Sequence, residues 1–380
     1  MTILVVDTCP HMGGAEWSLL ELTERFIKNG VNVAAAIPEG ALTTKMRSIN
    51  VVTFTVPQIR PKKSAFLRTS AAFIAAAAKI PSVVYRSGAD VILANNLAAG
   101  LLAAISPVRR PLVWHIRDLR LPHHCARWLA PRAKRIIAAS RAIDETLCEM
   151  LPRQTIGRVR LVPNGIDTSR FSMKDRIEAR RILNLPHHVP IVGMLANLVP
   201  WKKHDLFIES MALVKQKCRD ARFIIAGQDL FNEHGKWIAR LHDQANGLHL
   251  GNDLIWLDKV NDSTSILGAL NVLLHPAYDE PFGRVLCEAM AMQIPVIAID
   301  RAGPSSIIKD GITGFLVPPR NPEQLAYKTI QLLNNPAMAE NMGENGRAHV
   351  LQSFNADRTA KHVLQVCHEA LQTQHASGHA

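Results

Sequence analysis

Residues 272–299, VLLHPAYDEPFGRVLCEAMAMQIPVIAI, show most clearly which kind of fold the chain adopts. The apolar runs at both ends are short and rich in leucine, valine and isoleucine, which favours buried strands. Between them a glycine precedes a stretch of helical periodicity, and the apolar pattern then resumes. The stretch therefore predicts a strand, a loop, a helix and a second strand, the unit from which parallel sheets are built.

The same alternation extends along most of the 380 residues. In the first half we predict strands at Ile3–Val6, Val31–Ile37, Val51–Val56, Val91–Ala94, Leu112–Ile116 and Arg135–Ala138, and helices at Ala15–Lys28, Ala65–Ala78, Leu97–Ala104 and Arg141–Met150. In the second half we predict strands at Ile191–Leu195, Arg222–Ala226, Leu254–Leu257, Val272–Leu274, Pro295–Ile299 and Gly314–Val317, and helices at His204–Lys217, Lys236–Asn246, Phe282–Met292, Glu323–Leu333 and Ala356–Thr373. The segment VPNGIDTSRF, residues 162–171, separates the halves because its Pro, Asn and Gly break any continuing element.

The pattern predicts an α/β chain with two domains, each a parallel sheet with helices on both faces. We place the first domain at residues 1–165 and the second at residues 166–354. A last helix within residues 355–380 is expected to cross back to the first domain and to end in a disordered tail. Open parallel sheets bind ligands at the carboxyl ends of their strands. We therefore expect the two sheets to face each other across a ligand-binding cleft.

Several classes of protein are excluded by what the sequence lacks. No apolar run approaches the about 18 residues that span a bilayer, and the first residues do not form a secretory signal. The six cysteines form no CxxC pair, so we do not expect a disulfide framework. We expect a cytoplasmic location instead. DxD, HExxH, GxGxxG and GxSxG are all absent, which argues against a metal site, a dinucleotide cofactor and a serine hydrolase.

Charge is distributed unevenly along the chain. Residues 1–170 carry 23 lysines and arginines against 11 aspartates and glutamates, whereas residues 171–380 carry 21 of each. A basic half attracts anions such as an acidic membrane surface, a phosphorylated glycan or nucleic acid. Nucleic acid has the least support, because aromatic residues make up 5% and no strand interleaves aromatic and basic side chains. A basic surface without a partner is the alternative.

Two glutamates are the strongest candidates for binding a ligand. Glu280 follows a predicted strand, and Glu288 lies eight positions later in the next helix, about 10–12 Å away at 1.5 Å per residue. That distance is too long for the carboxylate pair of a retaining glycosidase, but it suits the two ends of one extended ligand. The helix start at Phe282–Gly283 lies between them, where free amides can bind a diphosphate. Alternatively, Glu280 only faces the helix dipole and Glu288 is solvated.

Other candidates lie at further predicted strand ends. Gly13 and Gly14 precede the first helix, where glycine lets the backbone approach a ligand. Lys202, in a loop after a strand, can neutralise a leaving diphosphate, and His115 ends an apolar strand. Each has a structural alternative: a tight turn, a solvated lysine and a packed core histidine, respectively.

Together these segments resemble the family 4 retaining glycosyltransferases, whose GT-B fold has two Rossmann-like domains facing across a cleft. The matching stretches are GGAE at 13–16, WHIRD at 114–118, ASRA at 139–142, VPNGID at 162–167, GMLANLVPWKKH at 193–204, AGQD at 226–229, EPFGRVLCEAMA at 280–291, IPVIAID at 294–300, AGPSSII at 302–308 and DGITGFLVP at 310–318. Glu280 and Glu288 reproduce the EX7E motif of that family.

The resemblance implies roles at the matching positions. The implied catalytic residues are Glu280 beside the donor sugar, His115 near its reacting centre and Lys202 on the leaving diphosphate. The implied donor-binding residues are Gly14, Asn197, Lys202, Phe282, Gly283, Arg284 and Glu288. Asn197 stands where the family often has Arg, so one diphosphate cation is missing. Lys203, at a position that is often Gly, or Arg284 is expected to replace it.

The resemblance further implies a retaining, metal-independent hexosyltransferase without a cofactor. Its co-substrate would be a UDP- or GDP-sugar, and its acceptor a hydroxyl of a cell-envelope glycan or glycolipid such as lipopolysaccharide. The acceptor, or an acidic cytoplasmic membrane surface, is expected to contact the basic residues Arg60, Lys62, Lys63, Arg68, Arg117 and Arg120. Two alternatives stay open: an epimerase or hydrolase of nucleotide sugars with the same fold, and a non-catalytic protein that binds nucleic acid or other anions.

Overall fold

The computed structural model describes residues 1–59, 66–258 and 262–376, with the backbone alone for residues 66–71 and 374–376. The chain divides into two compact units. The first comprises Met1–Gly165 together with the residues from Ala356 onwards, and the second comprises Ile166–Asn355. Each unit is built on one parallel sheet.

The first unit has seven strands with helices on both faces. The strands are β1 (Thr2–Val6), β2 (Asn32–Ile37), β3 (Val52–Thr55), β4 (Val91–Ala94), β5 (Leu112–Ile116), β6 (Arg135–Ala138) and β7 (Val159–Leu161), in the order β3-β2-β1-β4-β5-β6-β7. The helices are α1 (Gly14–Lys28), α2 (Ala41–Ser48), α3 (Phe66–Ser87), α4 (Leu97–Ile105), α5 (His123–Leu129), α6 (Arg141–Met150) and α7 (Arg153–Ile156).

The second unit has six strands and contains the other helices except the last. The strands are β8 (Ile191–Leu195), β9 (Arg222–Ala226), β10 (Leu254–Leu257), β11 (Val272–His275), β12 (Val296–Ile299) and β13 (Phe315–Val317), in the order β10-β9-β8-β11-β12-β13. The helices are α8 (Arg176–Ile182), α9 (His204–Lys217), α10 (Gly235–Gly247), α11 (Ser263–Ala269), α12 (Arg284–Ala291), α13 (Gly303–Ile307), α14 (Pro322–Asn334) and α15 (Pro336–Ser353).

The last helix, α16 (Ala356–Ala376), belongs to the first unit although it follows the second in sequence. It packs against α1 and against strands β4 to β6. Val363, Val366 and Cys367 are buried there. Glu369 also forms ion pairs with Arg135 and Arg160, at 3.0 and 3.1 Å. This helix therefore completes one face of the seven-stranded sheet.

Helix α3 is longer than predicted, because it continues through Pro81 to Ser87. A proline inside a helix leaves the carbonyl four residues earlier without its usual N–H partner. That carbonyl belongs to Ala77, and the buried hydroxyl of Ser106 lies 3.1 Å from its oxygen. This hydroxyl, just after the end of α4, also lies 2.7 Å from the Leu102 carbonyl oxygen, so its single proton is shared between the two carbonyls and replaces the missing donor only in part. Among the described residues, no helix combines the length and hydropathy needed to cross a bilayer.

Every predicted strand is present to within about two residues, but several helices were not predicted. The helices missed are α2, α5, α7, α8, α11, α13 and α15, and strand β7 was missed as well. The longest of them, α15, contains Gly343 and Gly346, which are poor helix formers. A Cβ on Gly343 would overlap the carbonyl of Gln293. Close packing of α15 on the end of α12 therefore explains this glycine.

Candidate active site

Lys202 and Glu280 meet at the carboxyl ends of two neighbouring strands in the second unit. Lys202 ends the short 3-10 turn Pro200–Lys202 after β8, and Glu280 follows β11, which pairs with β8. The Nζ of Lys202 donates a hydrogen bond to Oε2 of Glu280. Their side chains are 13% and 10% exposed. The fold thus brings together two residues that the sequence had selected separately, and Lys202 is not a solvated lysine.

His275, the last residue of β11, is the second partner of Glu280. Its Nε2 lies 2.8 Å from the same Oε2, and its ring is fully buried. Burial lowers the pKa of His275 more than the hydrogen bond to Glu280 raises it. The ring is therefore neutral at neutral pH, and its Nε2 carries the proton that Glu280 accepts. This residue was not predicted from the sequence, although its position at a strand end five residues before Glu280 is a usable signal.

Glu280 is ionised in this arrangement. Burial alone would raise its pKa, but the charge of Lys202 and the hydrogen bond from His275 outweigh that cost and hold the pKa well below its usual range. The backbone is fixed as well, because the amide of Gly303 donates to the Glu280 carbonyl at 2.9 Å. The result is a buried anion between a cation and a neutral donor.

The turn before α12 is tightly packed. Gly283 has φ +101°, a conformation that side chains disfavour, and it caps the helix that begins at Arg284 rather than at Phe282. A Cβ on Gly303 would overlap the carbonyl of Phe282. The Phe282 ring is buried, 5.8 Å from the Phe354 ring in a T-shaped contact. The side chain of Phe282 is thus part of the core, and only its backbone is suited to a ligand.

Glu288 lies one turn into α12 and pairs with Arg284. Oε1 of Glu288 accepts from Nε of Arg284 at 2.6 Å, and the side chain is 9% exposed. The alternative that Glu288 is a solvated helix residue is therefore wrong. Like Glu280, it is a buried carboxylate with a cationic partner.

Both residues expected to compensate for Asn197 have partners of their own. Arg284 is engaged by Glu288, and Nζ of Lys203 lies 5.0 Å from the centre of the Tyr278 ring. Lys203 also has φ +62° at the start of α9. This left-handed backbone explains physically why glycine suits the position. Asn197 itself is half-buried two residues after β8.

In the first unit, His115 is buried within β5 and has an unsatisfied ring nitrogen. Its Nδ1 lies 3.4 Å from Nη2 of Arg117, which can only donate, so Nε2 carries the proton. Among the described residues this Nε2 has no hydrogen-bond partner. Burial, and then the charge of Arg117, lowers the pKa of His115 well below its ordinary value. A neutral, buried N–H without a partner is rare in proteins and can donate to a ligand.

The prediction that Arg117 lies on an acceptor or membrane surface is wrong. Its Nε donates to Oδ1 of Asn95 at 2.6 Å, its Nη1 donates to Oδ1 of Asn164, and the residue is buried. The charge count could not show that two asparagines from other strand ends supply acceptors. Of the other predicted surface residues, Arg120 is exposed. Arg60, Lys62, Lys63 and the side chain of Arg68 lie outside the described residues.

Two buried carboxylates beside the glycine turn were also missed. Asp7, directly after β1, accepts from Asn95 Nδ2 at 2.6 Å and from the Cys9 amide at 2.8 Å. Oε2 of Glu16 accepts from the Gly13 amide at 2.9 Å. Burial and the nearby charge of Asp7 raise the pKa of Glu16 to about 7. Within the described ranges, no group of three or more His, Cys, Asp and Glu side chains is placed to hold a metal ion.

The two Rossmann-like units, with seven- and six-stranded parallel sheets, define a GT-B glycosyltransferase fold. A solved structure of Anabaena Alr3699/HepE in complex with UDP-glucose matches with a TM-score of 0.84 and 24% identity, over 96% of this chain and 98% of that chain. Sucrose-phosphate synthase from Thermosynechococcus elongatus matches with a TM-score of 0.83 and 21% identity, over 98% and 99%. These likenesses confirm the predicted fold.

Family models cover both units. A model described as glycosyl transferases group 1 matches residues 175–349, and a model described as Glycosyltransferase Family 4 matches residues 12–170. Each unit thus matches a glycosyltransferase model, which agrees with the sequence motifs.

Curated relatives match parts of the chain. An uncharacterized glycosyltransferase, MJ1607, of Methanocaldococcus jannaschii is 25% identical over 61% of this chain and 59% of its own length. The capsular polysaccharide biosynthesis glycosyltransferase CapM of Staphylococcus aureus is 26% identical over 51% and 50%. A D-inositol 3-phosphate glycosyltransferase of Streptomyces bingchenggensis is 29% identical over 56% and 48%. The chain therefore spans about half the length of the curated relatives it matches.

Proposed function

We propose that this protein transfers a sugar from a nucleotide diphosphate to an acceptor hydroxyl, with retention of the anomeric configuration and without a metal ion or other cofactor. The observation that carries the proposal is the buried cluster of Lys202, Glu280 and His275 at the carboxyl ends of β8 and β11. Ligands of open parallel sheets bind at that edge. The group 1 match includes the whole cluster.

Lys202 and the first amides of α12 would stabilise the leaving group. As the bond between the anomeric carbon and the phosphate oxygen breaks, negative charge grows on the diphosphate. A positioned ammonium and backbone donors offset that charge without rearranging. The acceptor oxygen forms its bond to the same face of the sugar, and its proton passes to the departing phosphate oxygen.

Glu280 would hold the sugar and also orient Lys202. Because it is ionised and fixed by two donors, it can accept from a sugar hydroxyl while keeping the ammonium in place. Glu288 would bind the ribose hydroxyls, since a carboxylate accepts two donors at once. The proposal thus assigns the two carboxylates to different parts of one donor molecule.

Two residues of the first unit are also suited to contact parts of a nucleotide sugar. The neutral Nε2–H of His115 suits a sugar hydroxyl, which can accept the hydrogen bond this nitrogen lacks in the described structure. A Cβ on Gly14 would meet no atom within 4 Å. The protein's own packing therefore does not require glycine there, whereas close approach of a diphosphate to the start of α1 does.

For the acceptor we propose an anionic cell-envelope glycan or glycolipid that contacts the first unit, with a cytoplasmic membrane surface beside it. The surface concerned includes the exposed residues Arg120, Arg127, Trp128 and Arg132. The Arg132 guanidinium lies 3.8 Å from the centre of the Trp128 ring. Such a surface attracts phosphate or carboxylate groups electrostatically, and each basic residue adds about 1 kcal/mol at an acidic membrane. The name of CapM, which refers to capsular polysaccharide biosynthesis, agrees with an envelope glycan.

The proposal is tested by incubating the full chain with UDP-glucose, UDP-N-acetylglucosamine or GDP-mannose, with and without envelope oligosaccharides. We expect acceptor-dependent nucleotide release that EDTA does not reduce, and an anomeric coupling in the product that matches the donor. Release without any acceptor would favour the hydrolase or epimerase alternative. Inversion of the anomeric configuration would contradict the retaining mechanism. Loss of activity with EDTA would contradict metal independence, and full activity of Lys202→Met would contradict the role of Lys202.

A further inference from the structure

A cavity of about 360 Å³ opens at the edge of the second unit's sheet that lies opposite the candidate active site. Pro190, Asn271 and Pro295 line it, and each directly precedes a strand, β8, β11 or β12. Lys202 and Glu280 follow the other ends of β8 and β11. Because these parallel strands are four or five residues long, the two edges are separated by roughly 13–17 Å. The cavity is thus a separate site, and its size is within the range of small-molecule pockets.

The walls of the cavity are partly apolar. Met292, Ile294 and Leu332 are buried beneath it, and Met173 is exposed at its rim. Methionine side chains adapt to irregular ligand shapes because they are unbranched and flexible. These residues offer a hydrocarbon surface to part of a ligand.

Asn271 presents hydrogen-bond donors at this cavity. Its Oδ1 accepts from Arg180 Nη2 at 2.7 Å and from the Ile191 amide at 2.8 Å. Two donors on one oxygen fix the orientation of the side-chain amide. In the described part of the chain its NH₂ group has no protein acceptor, so it is available to an anion.

The charges around the cavity are mainly positive. Lys174 and Arg176 line it, Lys174 pairing with Asp262 at 3.5 Å, and Glu340 is the one acidic side chain among its described lining residues. The buried Arg180 lies behind them, and its guanidinium donates to neutral oxygens such as the carbonyls of His187 and Ala269, at 2.7 and 3.0 Å. Within the described ranges neither Arg176 nor Arg180 has a carboxylate partner. A buried guanidinium without an anion gives the cavity a positive potential.

We propose that this cavity binds a small organic anion, with a phosphate or carboxylate head on Arg176 and Asn271 and an apolar body against Met292, Ile294 and Leu332. Arginine and amide N–H groups together match the oxygens of such a head. The apolar walls select a ligand with a hydrocarbon body over a bare inorganic ion. This site is independent of the proposed transfer reaction.

The test is isothermal titration of the full chain with phenyl phosphate, benzoate, inorganic phosphate and phenol. We expect saturable binding of phenyl phosphate or benzoate, and which of the two binds more tightly identifies the head group. Inorganic phosphate and phenol should each bind at least tenfold more weakly, because each lacks one half of the ligand. Equal binding of inorganic phosphate, or no saturable binding of either aromatic anion, would overturn the proposal.

Variants locate the binding within the molecule. Arg176→Gln should weaken the aromatic anion at least tenfold. Arg181→Gln is the matched control, because Arg181 is exposed on the same helix and pairs with Glu178 at 2.7 Å. Lys202→Met should leave the affinity unchanged. Equal weakening in the Arg176 and Arg181 variants, or loss of binding only in the Lys202 variant, would place the anion elsewhere and overturn the assignment.

Discussion

Replacing Glu280 by Gln tests the buried cluster directly. The substitution keeps the shape of the side chain and an oxygen that accepts from His275, but it removes the charge that faces Lys202. We expect the rate of sugar transfer to fall much more than the affinity for the nucleotide. The reason is that Glu280 contacts the ammonium of Lys202 and is assigned by the proposed function to the sugar rather than to the base or ribose.

The magnitude follows from the charged hydrogen bonds that are lost. A hydrogen bond to a charged group contributes about 1.5–3 kcal/mol, and 1.36 kcal/mol corresponds to a tenfold change. One such bond to the sugar therefore predicts a fall in kcat of about 10- to 150-fold. In the folded protein, Lys202 would also lose the anion that offsets its burial. We therefore expect the free energy of unfolding to fall by about 2 kcal/mol at neutral pH.

The effect on stability should depend on pH in a defined direction. The pKa of Glu280 is lower in the folded protein than in the unfolded chain. Its charge therefore stabilises the fold at pH values above the unfolded pKa, and this contribution is lost as pH falls through the folded pKa. The difference in unfolding free energy between wild type and Glu280→Gln should be constant from pH 8 to about 5 and shrink below about 4.5.

Steady-state kinetics with urea unfolding at several pH values measures both effects. Asp279→Asn is the matched control, because this neighbouring carboxylate pairs at 3.1 Å with Arg301, whose side chain is 57% exposed. Exposed pairs contribute about 0–1 kcal/mol, and 1 kcal/mol corresponds to about fivefold, so kcat of the control should stay within about fivefold. An unchanged kcat in Glu280→Gln, or equal losses in both variants, would refute the assignment of Glu280.

Three further variants test other parts of the site. Glu288→Ala should raise the donor KM several-fold with little change in kcat, and a kcat defect at unchanged KM would contradict its role at the ribose. His115→Ala should lower kcat about tenfold. Because the His115 ring is already neutral, the wild-type rate should show no titration of this histidine between pH 6 and 8. A step in the rate near pH 6.5 that disappears in the variant would contradict this. Burial raises the pKa of Glu16 to about 7. The free energy of unfolding of the wild type should therefore fall relative to that of Glu16→Gln as pH rises from about 4.5 to 7. The same pH dependence of unfolding in both proteins would contradict this.

The sequence predicted the fold well because the strands and the loops that follow them are local features here. β-branched runs marked the strands, and the first loops after them contained Lys202 and Glu280. The EX7E spacing placed Glu288 on the following helix. These features depend on residues within about ten positions of one another, so their chemistry is visible without a structure.

The features that were missed depend on contacts between distant segments. Asp7 and Asn95 are 88 residues apart, and Arg117 and Asn164 are 47 apart. Only the strand order brings these residues to one edge of the sheet. In α3 likewise, the Ala77 carbonyl that Pro81 leaves without a donor lies 3.1 Å from the hydroxyl of Ser106, 29 residues away. Charge counts and helix-breaking rules take no account of such distant partners. They therefore predicted that Arg117 lies on the surface and that α3 ends before Pro81.

The return of α16 to the first unit has a consequence for biosynthesis. Residues 166–355 are translated between the two parts of that unit. On the ribosome, the strands of the seven-stranded sheet are therefore synthesised before α16. Until α16 follows, the apolar side chains that it covers face solvent or a chaperone. Nascent chains halted just before residue 356 should accordingly bind hydrophobic-surface chaperones more strongly than finished ones.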